Sequence, residues 1–194
     1  MAEDLYEPPG VKISQGDILE KLPTAYLVPP LQALFARADG LMGVEAEEHP
    51  DFNDRHGQSI VATCKRAKAL LLTRDCEIDK PKVKHWVVAP IVPLSLIPGS
   101  SHGDAKKNKI FSLLYLPSYR DVLEESVLVL NYPTTLSKDF VESAKRILSF
   151  SDLGRKALYA QHIRWLSRWQ FSEIRCPHCA VSFNASEGMT VRED

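Results

Sequence analysis

Short apolar, β-prone runs recur through the middle of the chain: Ser59–Cys64 (SIVATC), Ala67–Thr73, His85–Leu94, Ile110–Leu116 and Ser126–Leu130. Charged or Gly/Pro stretches bound each run, which is the pattern of strands closed by turns. No helical pattern separates them, so they predict a strongly bent antiparallel sheet or small barrel rather than parallel strands layered between helices. Pro90 and Pro93 fall inside the third run and fit only at an edge, a bulge or a strand end, because proline cannot donate to a ladder. Upstream, Val11–Leu22 places Ile13, Ile18 and Leu22 around Gly16-Asp17, the look of a first strand entered through a turn. Pro23–Arg37 carries three prolines and no clear period.

Asp39–Gln58 is acidic, with few β-branched residues, and reads as a long surface loop. Pro98–Lys109 (PGSSHGDAKKNK) reads as a solvated, locally basic loop. Ser151-Asp152 is an N-cap signal for a helix over 151–170. Its Leu153, Ala157, Leu158, Ala160, Trp165, Leu166 and Trp169 supply an apolar side, and Arg155, Lys156, Arg164 and Arg168 supply positive charge. The predicted organisation is a disordered lead-in over 1–10, a β domain over 11–150 with the loop 39–58, the helix, and a Cys-x-x-Cys tail over 171–194.

Composition narrows the function. With 24 Lys+Arg against 25 Asp+Glu, the chain lacks the bulk positive charge of a tail-driven nucleic-acid binder, although a local basic patch is compatible with that balance. No apolar run approaches the roughly 18 residues that cross a bilayer, and MAEDLYEPPG has no signal-peptide pattern. A cytoplasmic protein with no membrane partner is therefore expected. In that reducing setting the four cysteines are free thiols, a metal site or a reactive group.

The segment order resembles the PemK/MazF family of SH3-like barrel toxins. Gly16-Asp17-Ile18-Leu19 is similar to the family's opening strand, Ala69–Thr73 to its later apolar strand ending in a hydroxyl residue, and Val87-Val88-Ala89-Pro90-Ile91 to its valine-valine-alanine-proline strand. The likeness spans 11–130. LLLTRDCEID (Leu70–Asp79) and the RILSFS…LGRKAL region also resemble phage- and mobile-element-associated bacterial proteins, which implies a toxin-antitoxin, prophage or antiphage setting. The implied fold is mainly β with a C-terminal helix, a small SH3-like antiparallel β-barrel. The implied activity is metal-independent RNA cleavage, which needs a proton acceptor and a cation or hydroxyl at the scissile phosphate. Where the family places an Arg-Pro pair and a threonine, this chain has Ala67-Lys68 and Val92. Arg66, Lys68, Thr73, Arg74 and Asp75 are the neighbouring groups that could substitute, but a one-residue shift along a strand reverses the side chain's face. The expected function is therefore a non-enzymatic binding module for nucleic acid or a protein partner, with an endoribonuclease of displaced catalytic residues (Arg66, Thr73, Arg74, Asp75) as the alternative.

Three further groups carry chemistry. Cys76 sits between Asp75 and Glu77, whose charges oppose a thiolate, so a thiol enzyme is disfavoured and an inward-facing cysteine is the plainer account. Cys176-Pro177-His178-Cys179 has the spacing that grips one tetrahedral metal, so structural zinc is expected, with Cys64 and Cys76 as candidates to complete four thiolates. His178, His162 or a second subunit of a homodimer are the other candidates, and a free or redox-active dithiol is the competing reading. Finally, Lys65, Lys68, Lys82, Lys84, Lys106, Lys107 and Lys109, with Arg66 and Lys80, flank the strands. With Tyr115, Tyr119 and Trp86 they suggest a surface for RNA or single-stranded nucleic acid, where phosphates meet cations and bases stack on rings. Lysines that merely solubilise loops and edge strands are the plainer account.

Overall fold

Runs of consecutive apolar residues form strands here because the sheet is covered on both faces, as its core shows. The computed structural model describes residues 3–26, 31–36, 42–47, 59–61, 63–167, 174–175, 182–183 and 191–192. In chain order the strands are β1 (Tyr6–Glu7), β2 (Asp17–Tyr26), β3 (Leu31–Ala36), β4 (Met42–Glu47), β5 (Ser59–Val61), β6 (Thr63–Leu71), β7 (His85–Pro93), β8 (Leu113–Leu116), β9 (Ser126–Val129), β10 (Thr134–Ser137) and β11 (Arg146–Phe150). The helices are α1 (Asp75–Ile78), α2 (His102–Lys106), α3 (Lys138–Ser143) and α4 (Asp152–Ser167). The chain divides into two compact units, one of Met1–Leu22 with Ala67–Asp194 and one of Pro23–Arg66.

The first unit is mainly β, a curled antiparallel half-barrel with α4 as its C-terminal helix, as the strand pattern predicts. The sheet order is β1-β11-β2-β6-β7-β9-β8, and β10 also pairs with β7. Residues that alternate along each strand enter different cores. Ile18, Leu70, Ala89, Ile91, Leu128 and Phe150 pack beneath α4 with Leu158, whereas Leu19, Leu71, Trp86 and Val88 pack with Ile78 of α1 and Val141 of α3. Val127 and Val129 join Leu94 and Ala105 in a third cluster. Two covered faces explain why LLL and VLVL lack the alternation of a sheet wetted on one side.

Strand β7 forks. Val88–Ile91 pairs with Lys68–Leu71 on one side. On the other side His85–Val88 pairs with β10 and Ile91–Pro93 with β9. Val87 directs both its N–H and its carbonyl toward the Leu72–Thr73 side, so by strand alternation Pro90 faces the other side. There β10 has ended and β9 has not begun, so no ladder bond is lost at Pro90, and Pro93 ends the strand. The two ends of the sheet meet through side chains: the Tyr6 hydroxyl of β1 donates to the Pro117 carbonyl just past β8 at 2.9 Å, and the Tyr6 ring lies 5.3 Å from that of Tyr119.

At the start of α4 the expected cap is present, with Gly154 N–H donating to the Ser151 hydroxyl at 3.2 Å. The buried stripe of α4 is Gly154, Ala157, Leu158, Gln161 and Arg164. This corrects the predicted apolar side: Leu166 is exposed, and Gln161 and Arg164 take inward positions because backbone carbonyls meet them there. Trp165 packs against the core, and Trp169 and Arg168 lie outside the described residues.

The second unit holds an antiparallel sheet ordered β4-β3-β5, and the Thr24 hydroxyl donates to the Lys65 carbonyl at 3.1 Å. Strand β4 lies inside 39–58, which corrects the expectation of a continuous loop. Met42, Val44 and Ala46 alternate with Gly43, Glu45 and Glu47, a period of two that the acidic composition obscured. In the tail, Ile174–Arg175, Ser182–Phe183 and Val191–Arg192 pair as a three-stranded antiparallel sheet.

Candidate functional site

The turn that opens β2 is a structural latch. Gly16 takes φ +93°, a backbone region open to glycine, and this turns the fully buried Asp17 back on its own loop. The Asp17 carboxylate accepts from Ser14 N–H at 3.0 Å, from the Ser149 hydroxyl of β11, and lies 3.4 Å from Arg146. Neighbouring Gln15 joins more distant pieces: its N–H donates to Asp75 at 2.7 Å, its amide to the Leu72 carbonyl at 2.7 Å, and its side-chain oxygen accepts from the Tyr159 hydroxyl. Arg155 donates to the Gln15 carbonyl at 3.1 Å and to Glu7 at 2.9 Å. The Gly-Asp pair that carries the family resemblance thus works in the scaffold.

The strand-end cluster divides between scaffold and surface. Thr73 is buried and its hydroxyl accepts from Val87 N–H at 2.7 Å, while Asp75 receives the Gln15 N–H. Arg74 is exposed at the start of α1. Burial, and after it the Arg74 guanidinium, hold His162 below the ordinary imidazole value. Cys76 is exposed, which corrects the expectation that it tucks inward; the anchor of this short helix is Ile78. Arg66 and Lys65 are exposed and belong to the second unit.

The lysines separate just as clearly. Lys68 donates to the Val122 carbonyl at 2.9 Å, Lys106 pairs with Glu125 at 2.7 Å, and Lys109 lies 4.0 Å from Asp104; Lys107 is exposed. Lys80, Lys82 and Lys84 are exposed, and no carboxylate among the described residues forms an ion pair with them. A turn closed by Val83 N–H on the Lys80 carbonyl at 3.1 Å carries Pro81-Lys82 at its tip. Lys84 leads into β7, and its carbonyl accepts from Lys138 N–H at 2.8 Å at the start of α3. The result is a basic rim where β7 begins and β10 ends. The rings expected to stack on bases are elsewhere: Trp86 and Tyr119 are buried, and the half-buried Tyr115 donates to Glu125. Two exposed rings stand at this rim, His85 at the start of β7 and Phe140, 46% exposed on α3, which strand-based reasoning passed over because it lies outside every apolar run.

Glu125 binds both Tyr115 and Lys106, so it joins β8 and α2 to the start of β9. The Lys106 hydrogen bond, then the Tyr115 hydrogen bond, hold its carboxyl below the ordinary range, while burial and Glu125 push the Tyr115 hydroxyl up. A depressed carboxyl stabilises the fold above its unfolded value of about 4.3 and loses that contribution as pH falls through the folded value. The stability difference between the parent and Glu125→Gln, read from urea midpoints, is therefore expected to be largest near neutral pH. It should shrink below about pH 4, and a difference independent of pH would exclude this role.

Arg164, expected as surface charge, is buried. It donates to the Asn108 carbonyl at 2.9 Å and to Gln161 at 3.1 Å. Gln161 in turn donates to the carbonyls of Ile110, Phe111 and Leu113, so the pair fastens the 108–113 segment to α4. His162 stacks on Trp165 with centroids 5.7 Å apart. Cys176, Cys179 and His178 lie outside the described residues; Cys64 and Cys76 are exposed, one in each unit. Among the described residues no three His, Cys, Asp or Glu side chains gather as a metal site, and no helix is long and apolar enough to cross a membrane. Neither a protein-family model nor a curated protein matches the chain.

Proposed function

We propose that the chain is a non-enzymatic nucleic-acid-binding module that grips the phosphate backbone through Lys80, Lys82 and Lys84. The observation that carries this reading is the exposure of three ammonium groups at one end of β7 with no carboxylate partner among the described residues, while Lys68, Lys106 and Lys109 are engaged within the protein. Unpaired cations are the ones whose contact with phosphate releases counterions without first breaking an internal bond. Against cleavage stands the use of candidate catalytic groups by the scaffold: the Thr73 hydroxyl serves Val87, and the Asp75 carboxylate serves Gln15.

The test is a salt titration with a labelled RNA oligonucleotide. Each phosphate contact contributes roughly 0.7 to 0.9 to the slope of log affinity against log salt, so Lys80→Ala/Lys82→Ala/Lys84→Ala should flatten it by about 2 to 3. Lys106→Ala/Lys109→Ala should leave it unchanged. Binding insensitive to salt, or a slope untouched by the triple substitution, would overturn the reading and turn the search toward a protein partner.

A further inference from the structure

We infer that the ligand of the basic rim is single-stranded, and that Phe140 is the ring on which one of its bases stacks. This inference rests on the reading of the rim as a phosphate-binding surface and adds the strand class and the residue that selects it. Phe140 lies in the first turn of α3, two residues past Lys138, whose N–H is bonded to the Lys84 carbonyl. Ser137 stands opposite His85 in the β10–β7 register, so α3 begins beside the start of β7. Within α3 the inward position belongs to Val141, which is fully buried against Trp86 and Val88. Lys138 is turned toward Trp86, its ammonium 5.3 Å from the ring centroid, and pairs with Glu142 at 3.6 Å. Phe140 is left facing solvent.

A solitary exposed apolar side chain is ordinary on a protein surface. The position of this one is what gives it a role: it stands at the end of the sheet where Lys80, Lys82 and Lys84 gather. Cations that follow a backbone and a ring that accepts an unstacked base are the two parts of a single-strand platform. A duplex keeps its bases stacked inside, so it can engage the lysines but offers no base face to a ring.

The two parts respond differently to salt, which makes them separable. The experiment measures the affinity of the full chain for an RNA of about 12 nucleotides, within the range one small β-barrel covers, and for the matching duplex, across a salt series. Phe140→Ala should weaken single-strand binding about 5- to 100-fold with an unchanged salt slope, because stacking releases no counterion. Duplex binding should be unaffected. Phe140→Tyr should restore affinity and Phe140→Leu should not, since leucine keeps the apolar bulk and loses the π face. A base-analogue fluorophore in the strand should be quenched by the parent and by Phe140→Tyr alone. Equal affinity of the parent and Phe140→Ala for single strands, or tighter binding of the duplex, would overturn this inference while the lysine-dependent slope stands. Loss of all salt-dependent binding in the parent would instead remove the phosphate reading on which it rests.

Discussion

Gly154→Ala is expected to cost about 3 kcal/mol, at the upper end of what overpacking produces. A methyl at this position would lie 2.4 Å from the Leu5 carbonyl oxygen and 3.0 Å from the Phe150 side chain. The carbonyl cannot swing aside freely, because it accepts the Ser151 N–H at 3.0 Å. Relief would require α4 to lift from the lead-in, which opens the core that Ala157 and Leu158 complete. Gly103 in α2 supplies the contrast: no atom lies within 4 Å of the corresponding methyl. Gly103→Ala should therefore gain about 0.5 to 1 kcal/mol from helix propensity alone. Urea midpoints of the two variants should move in opposite directions. A midpoint for Gly154→Ala at or above the parent's would mean that the close approach of α4 to Leu5 is not what holds this end of the fold.

Asp17→Ala is expected to be costlier still, about 3 to 5 kcal/mol, the usual loss when one partner of a buried charged network is removed. The carboxylate satisfies Ser14 N–H and the Ser149 hydroxyl and faces Arg146, so its removal leaves donors in the turn before β2 and on β11 without an acceptor. Arg146 retains other acceptors, the carbonyls of Lys12 at 2.7 Å and Val11 at 3.0 Å. Arg146→Ala should therefore cost less than Asp17→Ala. The double variant should cost less than the sum of the two, because both single changes disrupt the same contact. Strict additivity in the denaturation midpoints would show that Asp17 acts through Ser14 and Ser149 and not through Arg146.

The central strands of the first unit were legible because buried apolar runs with turn residues between them have few other uses in a chain of this size; β1 was not, since Tyr6–Glu7 falls in the expected disordered lead-in and pairs with distant β11, nor was the polar β10. The Ser151 cap was legible because its signal is local. Other features depended on partners distant in sequence. Nothing near Gln161 announces that it meets the carbonyls of Ile110, Phe111 and Leu113, and nothing near Arg164 announces burial against Asn108. Strand β4 was hidden because glutamates and a glycine occupy its alternate positions. For the candidate site, residue type was legible and availability was not: Lys106 and Lys82 look alike until Glu125, nineteen positions on from Lys106, comes to lie beside one and, among the described residues, no carboxylate pairs with the other. The rings of Trp86 and Tyr119 were misplaced for a similar reason. In a sheet covered on both sides, alternation no longer tells which side chains reach water.

The half-barrel's outermost strands meet through the Tyr6 phenol and its tilted ring pair inside the apolar cluster beneath α4, and among the described residues no ladder spans the join. Rupture there breaks side-chain contacts and no row of amides, whereas parting β6 from β7 unzips one. The wall consequently has a preferred line of weakness, and the earliest excursions away from the native state should begin along it, at Tyr6 and Pro117, with the forked strand the last to yield.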